Sequence, residues 1–179
     1  MSRLVAFLRA INVGGHVVKM ADLRALFESL GFSNVTTFIA SGNIVFDSNA
    51  KDLAALEKRI EARLLESLGY EVATFIRTPA EITAVAAYEP FSASERATAV
   101  ALNVAFLTEP LTREAEKTLL GFETDIDRFH THGREVYWLC RKKQSDSKFN
   151  YARFEKALKC RATWRGVRTV SKLAEIVSS

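Results

Sequence analysis

The chain has 179 residues, enough to bury a core as one domain or as two small ones. Hydrophobic residues make up 48% and charged residues 26%, an ordinary balance for a globular protein, and the longest apolar runs, such as Leu4 to Leu8, are far too short to span a bilayer. The formal net charge of +4 hides a split: Arg141 to Lys172 holds eleven Lys/Arg against Asp146 and Glu155, a net of +9, and the remainder is net −5.

Ser2 to Arg9 reads as a buried strand, because "LVAFL" is continuously apolar. Arg9 interrupts that run too early for a signal peptide. Met20 to Leu30 carries apolar residues at 23, 26, 27 and 30, a helical stripe stopped by Gly31. Val35 to Ala40 and Ile44 to Asp47 predict short strands around a "SGN" hairpin. Ser48 or Asn49 is the expected cap of a second helix, whose stripe Leu53, Leu56, Ile60, Leu64 ends at Gly69. Glu71 to Arg77 is a fourth strand.

Within this half "ESLGFSNVTTFIA" (Glu28 to Ala40) is echoed by "ESLGYEVATFIR" (Glu66 to Arg77). Two helix–strand units, each preceded by a strand, give β-α-β-β-α-β, a ferredoxin-like plan with strand order 4-1-3-2. "TPAE" at Thr78 to Glu81 is a capping box opening a helix that runs to about Tyr88. Residues 89–98 read as a linker. Strand Ala99 to Leu107, helix Thr112 to Leu120 and strand Thr124 to Thr131 begin a second series. It continues through a His132–Gly133 turn, strand "EVYWLC", a polar loop and a helix near Asn150 to Leu158. "ATW" and a last helix, Val167 to Val177, complete it. The expectation is an α+β chain of two tandem ferredoxin-like subdomains, 1–88 and 99–179, with antiparallel sheets, helices on one face and an extra C-terminal helix.

Two groups of residues are site candidates. In the 4-1-3-2 order, the connection after the first strand and the "SGN" hairpin emerge side by side. Arg9, Asn12, Lys19, Ser41, Asn43 and the amides of Gly14 and Gly15 then converge near the start of the first helix. Glycine pairs let backbone approach a ligand, and a helix N-terminus favours an anion. The spacing matches neither the dinucleotide fingerprint nor the phosphate loop. Asn12 satisfying loop backbone, with Gly14–Gly15 as a turn, is the structural alternative. The second group is basic: Lys142, Lys143, Lys148, Arg153, Lys156 and Arg165. Arg153, Lys156 and Lys159 at helical spacing predict a positive stripe for phosphates, with Tyr151 and Trp164 for stacking. A solvated basic helix pair is the competing reading.

Other residues point to little chemistry. His130 and His132 share a strand face without a third ligand, so no metal is expected and they read as surface hairpin histidines. Asp125 and Asp127 lack the pattern of a calcium loop and read as strand-surface charge. Cys140 and Cys160 cannot form a disulfide framework; reduced thiols in a cytoplasmic setting are expected. No nucleophile, base and orienting acid assemble from spacing, and no cofactor is expected.

"LRAINVGG", "LRALFESLGFSNVTTFIASGNIVF", "SKFNYARFEKAL" and "ATWRGVRTVSKL" resemble successive motifs of the domain of unknown function 1697 family, in order along nearly the whole chain. The resemblance implies two ferredoxin-like subdomains and no activity. The family's usual Gly is Ala10 here, and its usual Thr-Arg-Asn-Trp is Trp164, Arg165, Gly166, Val167. The leading expectation is binding of an anionic ligand, either a phosphate-bearing small molecule or nucleic acid, without membrane contact. An enzyme with its site at the Arg9–Asn43 edge and a protein-interaction module are the alternatives. Oligomeric state is open.

Overall fold

A computed structural model describes residues 1–12, 14–39 and 42–179. In chain order the first elements are β1 (Ser2–Leu8), α1 (Met20–Ser29), β2 (Ser33–Thr37), β3 (Asn43–Ser48), α2 (Leu53–Leu68) and β4 (Thr74–Arg77). Then come α3 (Pro79–Ala87), α4 (Ala93–Ala97), β5 (Ala101–Leu107), α5 (Arg113–Leu120), β6 (Asp127–His132) and β7 (Glu135–Cys140). The series closes with α6 (Tyr151–Leu158), β8 (Ala162–Gly166) and α7 (Val167–Ser178). The architecture is α+β, with two four-stranded sheets in the orders β2-β3-β1-β4 and β6-β7-β5-β8, and the strand pairs are antiparallel.

The chain divides into two compact units, Met1–Ala84 with Ser171–Ser179, and Val85–Val170. The end of α7 therefore groups with the first unit, which differs from the expected boundary; Leu173 and Val177 on that stretch are buried. The expected linker 89–98 is partly helical. Ser92 accepts from the Glu95 amide while Glu95 accepts from the Ser92 amide, a reciprocal box that forms α4. Helix α2 is capped by Asp52, whose side chain accepts from the Ala55 amide, rather than by Ser48 or Asn49. Ser48 instead accepts from the Ala50 amide just before the helix.

In the first unit α1 and α2 lie over one sheet face, with Leu4, Ala6, Leu8, Phe27, Ile44, Phe46 and Ile60 in the core. The other face, carrying Val5, Phe7, Val45 and Phe75, is buried too. That double burial is why β1 is apolar without alternation.

The two units repeat one another in detail. "VAFL" occurs at Val5 to Leu8 and again at Val104 to Leu107. Val5 lies opposite Arg77 and Val104 opposite Arg165, each arginine donating through Nη1 to the carbonyl of the residue before it, at 2.9 and 2.8 Å. Leu8 lies opposite Thr74 and Leu107 opposite Ala162. The outward amides at those two positions donate to helix carboxylates, Thr74 to Glu61 and Ala162 to Glu155, each at 2.9 Å. Glu57, one turn before Glu61, accepts from the Ile76 amide at 2.8 Å. Edge strands expose unpaired amides that invite pairing with other chains, and these glutamates cover them.

Gly31 and Gly69 both take left-handed conformations, with φ of 86° and 80°, and nothing lies within 4 Å of a Cβ added at either. Gly31→Ala and Gly69→Ala are each expected to cost about 1 kcal/mol through the backbone alone. Urea unfolding of both variants checks this, and unchanged midpoints would contradict it.

Candidate functional site

The end of β1 sits between two neighbours. The Leu8 amide donates to the Gly42 carbonyl at 2.8 Å, and the Arg9 amide donates to the Ala73 carbonyl at 2.9 Å. Phe7 is opposite Asn43. The chain thus leaves the sheet beside the β2–β3 connection, as the strand order required. Arg9 and the hairpin neck are brought to one edge.

Backbone conformation is unusual here. Ala10 has φ of 54° and Ile39 has φ of 52°, two of the four non-glycine residues with positive φ among the described residues, and Gly14 and Gly15 stand at 64° and 84°. A β-branched residue in this region is a real outlier, because Cβ meets the backbone. Ala10 occupies the position where the resembled family carries Gly, which this conformation suits.

Several contacts hold the loop. Asn12 Oδ1 accepts from the Val18 amide at 2.8 Å, and the Tyr70 hydroxyl donates to the Ile11 carbonyl at 2.7 Å. His16 stacks on the Tyr70 ring at 4.0 Å and 24°. Desolvation raises the Tyr70 hydroxyl above its ordinary value, which keeps it a donor. The aromatic after Gly69 was legible in the sequence echo, but its reach to Ile11 depends on tertiary contact.

The predicted residues therefore separate. Asn12 closes the loop. Asn43 is 4% exposed, and its Nδ2 donates to the Phe38 carbonyl at 3.0 Å, so it locks the hairpin neck rather than facing solvent. Lys19 is exposed at the N-terminal boundary of α1, in extended conformation, with no side-chain cap on the helix. Gly14 and Gly15 are exposed beside it, and Arg9 is half-buried. Ser41 lies outside the described residues.

The basic group is also divided. Lys142, Lys143, Lys148, Arg153 and Lys156 are exposed. Arg153 lies over the Phe122 ring at 4.9 Å. Lys159 does not extend the helical stripe, because it is the left-handed cap of α6 with φ of 51°. Arg165 turns inward: Nη1 donates to Thr163 Oγ1 and to the Trp164 carbonyl, both at 2.8 Å. Desolvation pushes its guanidinium down to about 10, so it stays charged at neutral pH. Tyr151 and Trp164 stack on each other at 5.1 Å and 8°, and Trp164 is buried among Trp138, Phe149 and Phe154. Trp164, foreseen as a stacking platform, belongs to the core.

Asp127 is not surface charge. It is 1% exposed and accepts from Trp138 Nε1 at 2.9 Å, Ser147 Oγ at 2.8 Å and Thr124 Oγ1 at 3.2 Å. Ser147 Oγ in turn accepts from the Phe149 amide, so the carboxylate ties the basic loop to β6 and β7. His130 and His132 share a face under Tyr88, whose hydroxyl lies 2.8 Å from His130 Nε2 and whose ring stacks on His132 at 4.0 Å. Burial raises the Cys140 thiol and pushes Cys160 up to about 11, so neither is a ready nucleophile. Among the described residues no group of three or more His, Cys, Asp and Glu could hold a metal ion, and no helix is long and apolar enough to cross a membrane.

Residues 1–137 match the model of a family described as protein of unknown function (DUF1697). The solved structure of a conserved bacterial protein from Streptococcus pneumoniae is similar in fold, with a TM-score of 0.76 and 24% identity over 98% of this chain and 98% of that chain. No curated protein matches the chain.

Proposed function

This chain belongs to the DUF1697 family, and on that premise we propose that it binds the anionic group of a small molecule at the edge where β1 ends. The carrying observation is the cluster of left-handed backbone at Ala10, Gly14, Gly15 and Ile39 beside a helix start that lacks a side-chain cap. Strained backbone concentrates where function over-determines it, and uncapped first-turn amides favour negative charge. Lys19 supplies a cation at the helix start, and Arg9 a second on the same edge. Asn12 and Asn43 shape the edge through the Val18 amide and the Phe38 carbonyl. The strand orders support a ferredoxin-like plan for each unit, with this edge at the exit of a central strand.

Isothermal titration with AMP and with inorganic phosphate tests the reading. Arg9→Ala and Lys19→Ala are each expected to weaken binding about tenfold, since a charge-assisted hydrogen bond contributes about 1.5–3 kcal/mol. Affinity unchanged in both variants would overturn the site. A single-stranded oligonucleotide serves as the second arm: binding that falls steeply with salt and depends on Lys142 and Lys143 instead would place the partner at the basic loop.

A further inference from the structure

A groove of about 550 Å³ opens in the second unit, where the chain enters β5 and β8 turns directly into α7. Its walls include Val100, Leu102 and Val167, and its polar side chains are Arg96, Asn103 and Arg168. Among the described residues no carboxylate lines it.

Asn103 is the informative residue. It is 7% exposed, and its Nδ2 has no hydrogen-bond partner among the described residues. Buried polar groups are nearly always satisfied, so an orphaned carboxamide bordering a groove calls for an acceptor from outside the protein. Asn103 stands opposite Gly166 on β8, and a Cβ at Gly166 would meet nothing within 4 Å. No side chain therefore stands between the buried carboxamide and the groove at position 166. Arg96 adds a second orphan: Nη1 pairs with Glu89 at 2.7 Å, while its buried Nε has no partner among the described residues.

The start of α7 points the same way. The helix spans Val167–Ser178 and carries no acidic residue in its first turn. Arg168 is exposed there and makes no ion pair among the described residues. A cation at the positive end of a helix is unfavourable by itself, and a bound anion reverses that sign. First-turn amides such as those of Arg168 and Thr169 have no acceptor within the helix.

We propose that this groove binds a small organic phosphate. The phosphate lies against Arg168, the Asn103 amide and the first turn of α7, and the organic portion rests on Val100, Leu102 and Val167. The volume suits a small-molecule ligand, and the mix of apolar wall and few convergent donors is that of a binding pocket. This site shares no residue with the β1 edge and stands without it.

The test is a heteronuclear NMR titration of the ¹⁵N-labelled full chain with AMP, inorganic phosphate and adenosine. AMP should move the Asn103 side-chain amide pair and the backbone amides of Arg168 and Thr169 in a saturable way. Inorganic phosphate should move the same signals with weaker affinity, and adenosine should leave them in place. Arg168→Ala, at an exposed position, should weaken AMP binding about tenfold or more, the scale of one lost charge-assisted contact. Asn103→Leu should abolish the shifts at Arg168 and Thr169 while the spectrum stays dispersed. Absence of saturable shifts at these three groups, or shifts undiminished in Arg168→Ala, overturns the proposal. Shifts at Gly14 and Gly15 report the β1 edge separately, so either site can fail alone.

Discussion

Asp127→Ala should destabilise the second unit by about 4 kcal/mol, since hydrogen bonds to a charged group contribute about 1.5–3 kcal/mol each and do not add in full. The carboxylate is 1% exposed and accepts from Trp138, Ser147 and Thr124. Removing it leaves the Trp138 indole N–H unpaired in the core and frees Ser147 from the sheet. Asp127→Asn keeps an acceptor for Trp138 and should cost about half as much. Trp138→Phe removes the donor instead, so a double-mutant cycle with Asp127→Ala isolates the pair. Urea unfolding followed by circular dichroism measures all three. A loss below about 1 kcal/mol for Asp127→Ala would show that the carboxylate does not anchor this unit.

Phe149→Ala is expected to cost about 3–5 kcal/mol, the usual range for deleting a buried aromatic ring. Phe149 is buried, with its ring centroid 4.8 Å from those of both Phe129 and Trp138 and 5.8 Å from Trp164. Phe149→Leu fills most of the space and should cost less than about 1.5 kcal/mol. Both Asp127 and Phe149 hold the segment bearing Lys142, Lys143 and Lys148, one through Ser147 and the other through its ring. The double variant Asp127→Ala, Phe149→Ala should therefore lose less than the sum of the singles, by at least about 0.5 kcal/mol. Strict additivity would mean that the two anchors act on separate structures. The same variants bear on function: lysines on a pinned loop form a fixed surface, and lysines on a released loop do not.

Much of the fold was legible because it follows from local rules. The apolar run Leu4 to Leu8, the stripe through Leu23 and Phe27, the left-handed stops at Gly31 and Gly69 and the box at Thr78–Glu81 are all short-range patterns. The repeated helix–strand series implied the strand order, and the order placed Arg9 beside the hairpin. The second capping box, Ser92 to Glu95, obeys the same rule as the first and was readable; the polar composition around it drew the reading toward a linker. The repeated "VAFL" was likewise in plain view, although its meaning rests on the register that sets Arg77 and Arg165 opposite Val5 and Val104.

Only the tertiary structure decided which polar residues are spent on the protein itself. Asn12, Asn43 and Arg165 looked like ligand contacts because their side chains are donors and acceptors at suggestive positions. Asn12 accepts from the Val18 amide, Asn43 donates to the Phe38 carbonyl and Arg165 donates to the Trp164 carbonyl and Thr163, contacts that the sequence alone does not specify. Asp127 is in the core through hydrogen bonds to Trp138 and Ser147, and Trp164 through ring packing against Trp138, Phe149 and Phe154, partners that come from other elements. Asn103 was invisible as a candidate: a lone asparagine in a strand carries no signal until the groove beside it and its empty donor are seen. Periodicity and capping are encoded within one turn or one strand of sequence. Satisfaction of buried donors is a property of the whole packed unit.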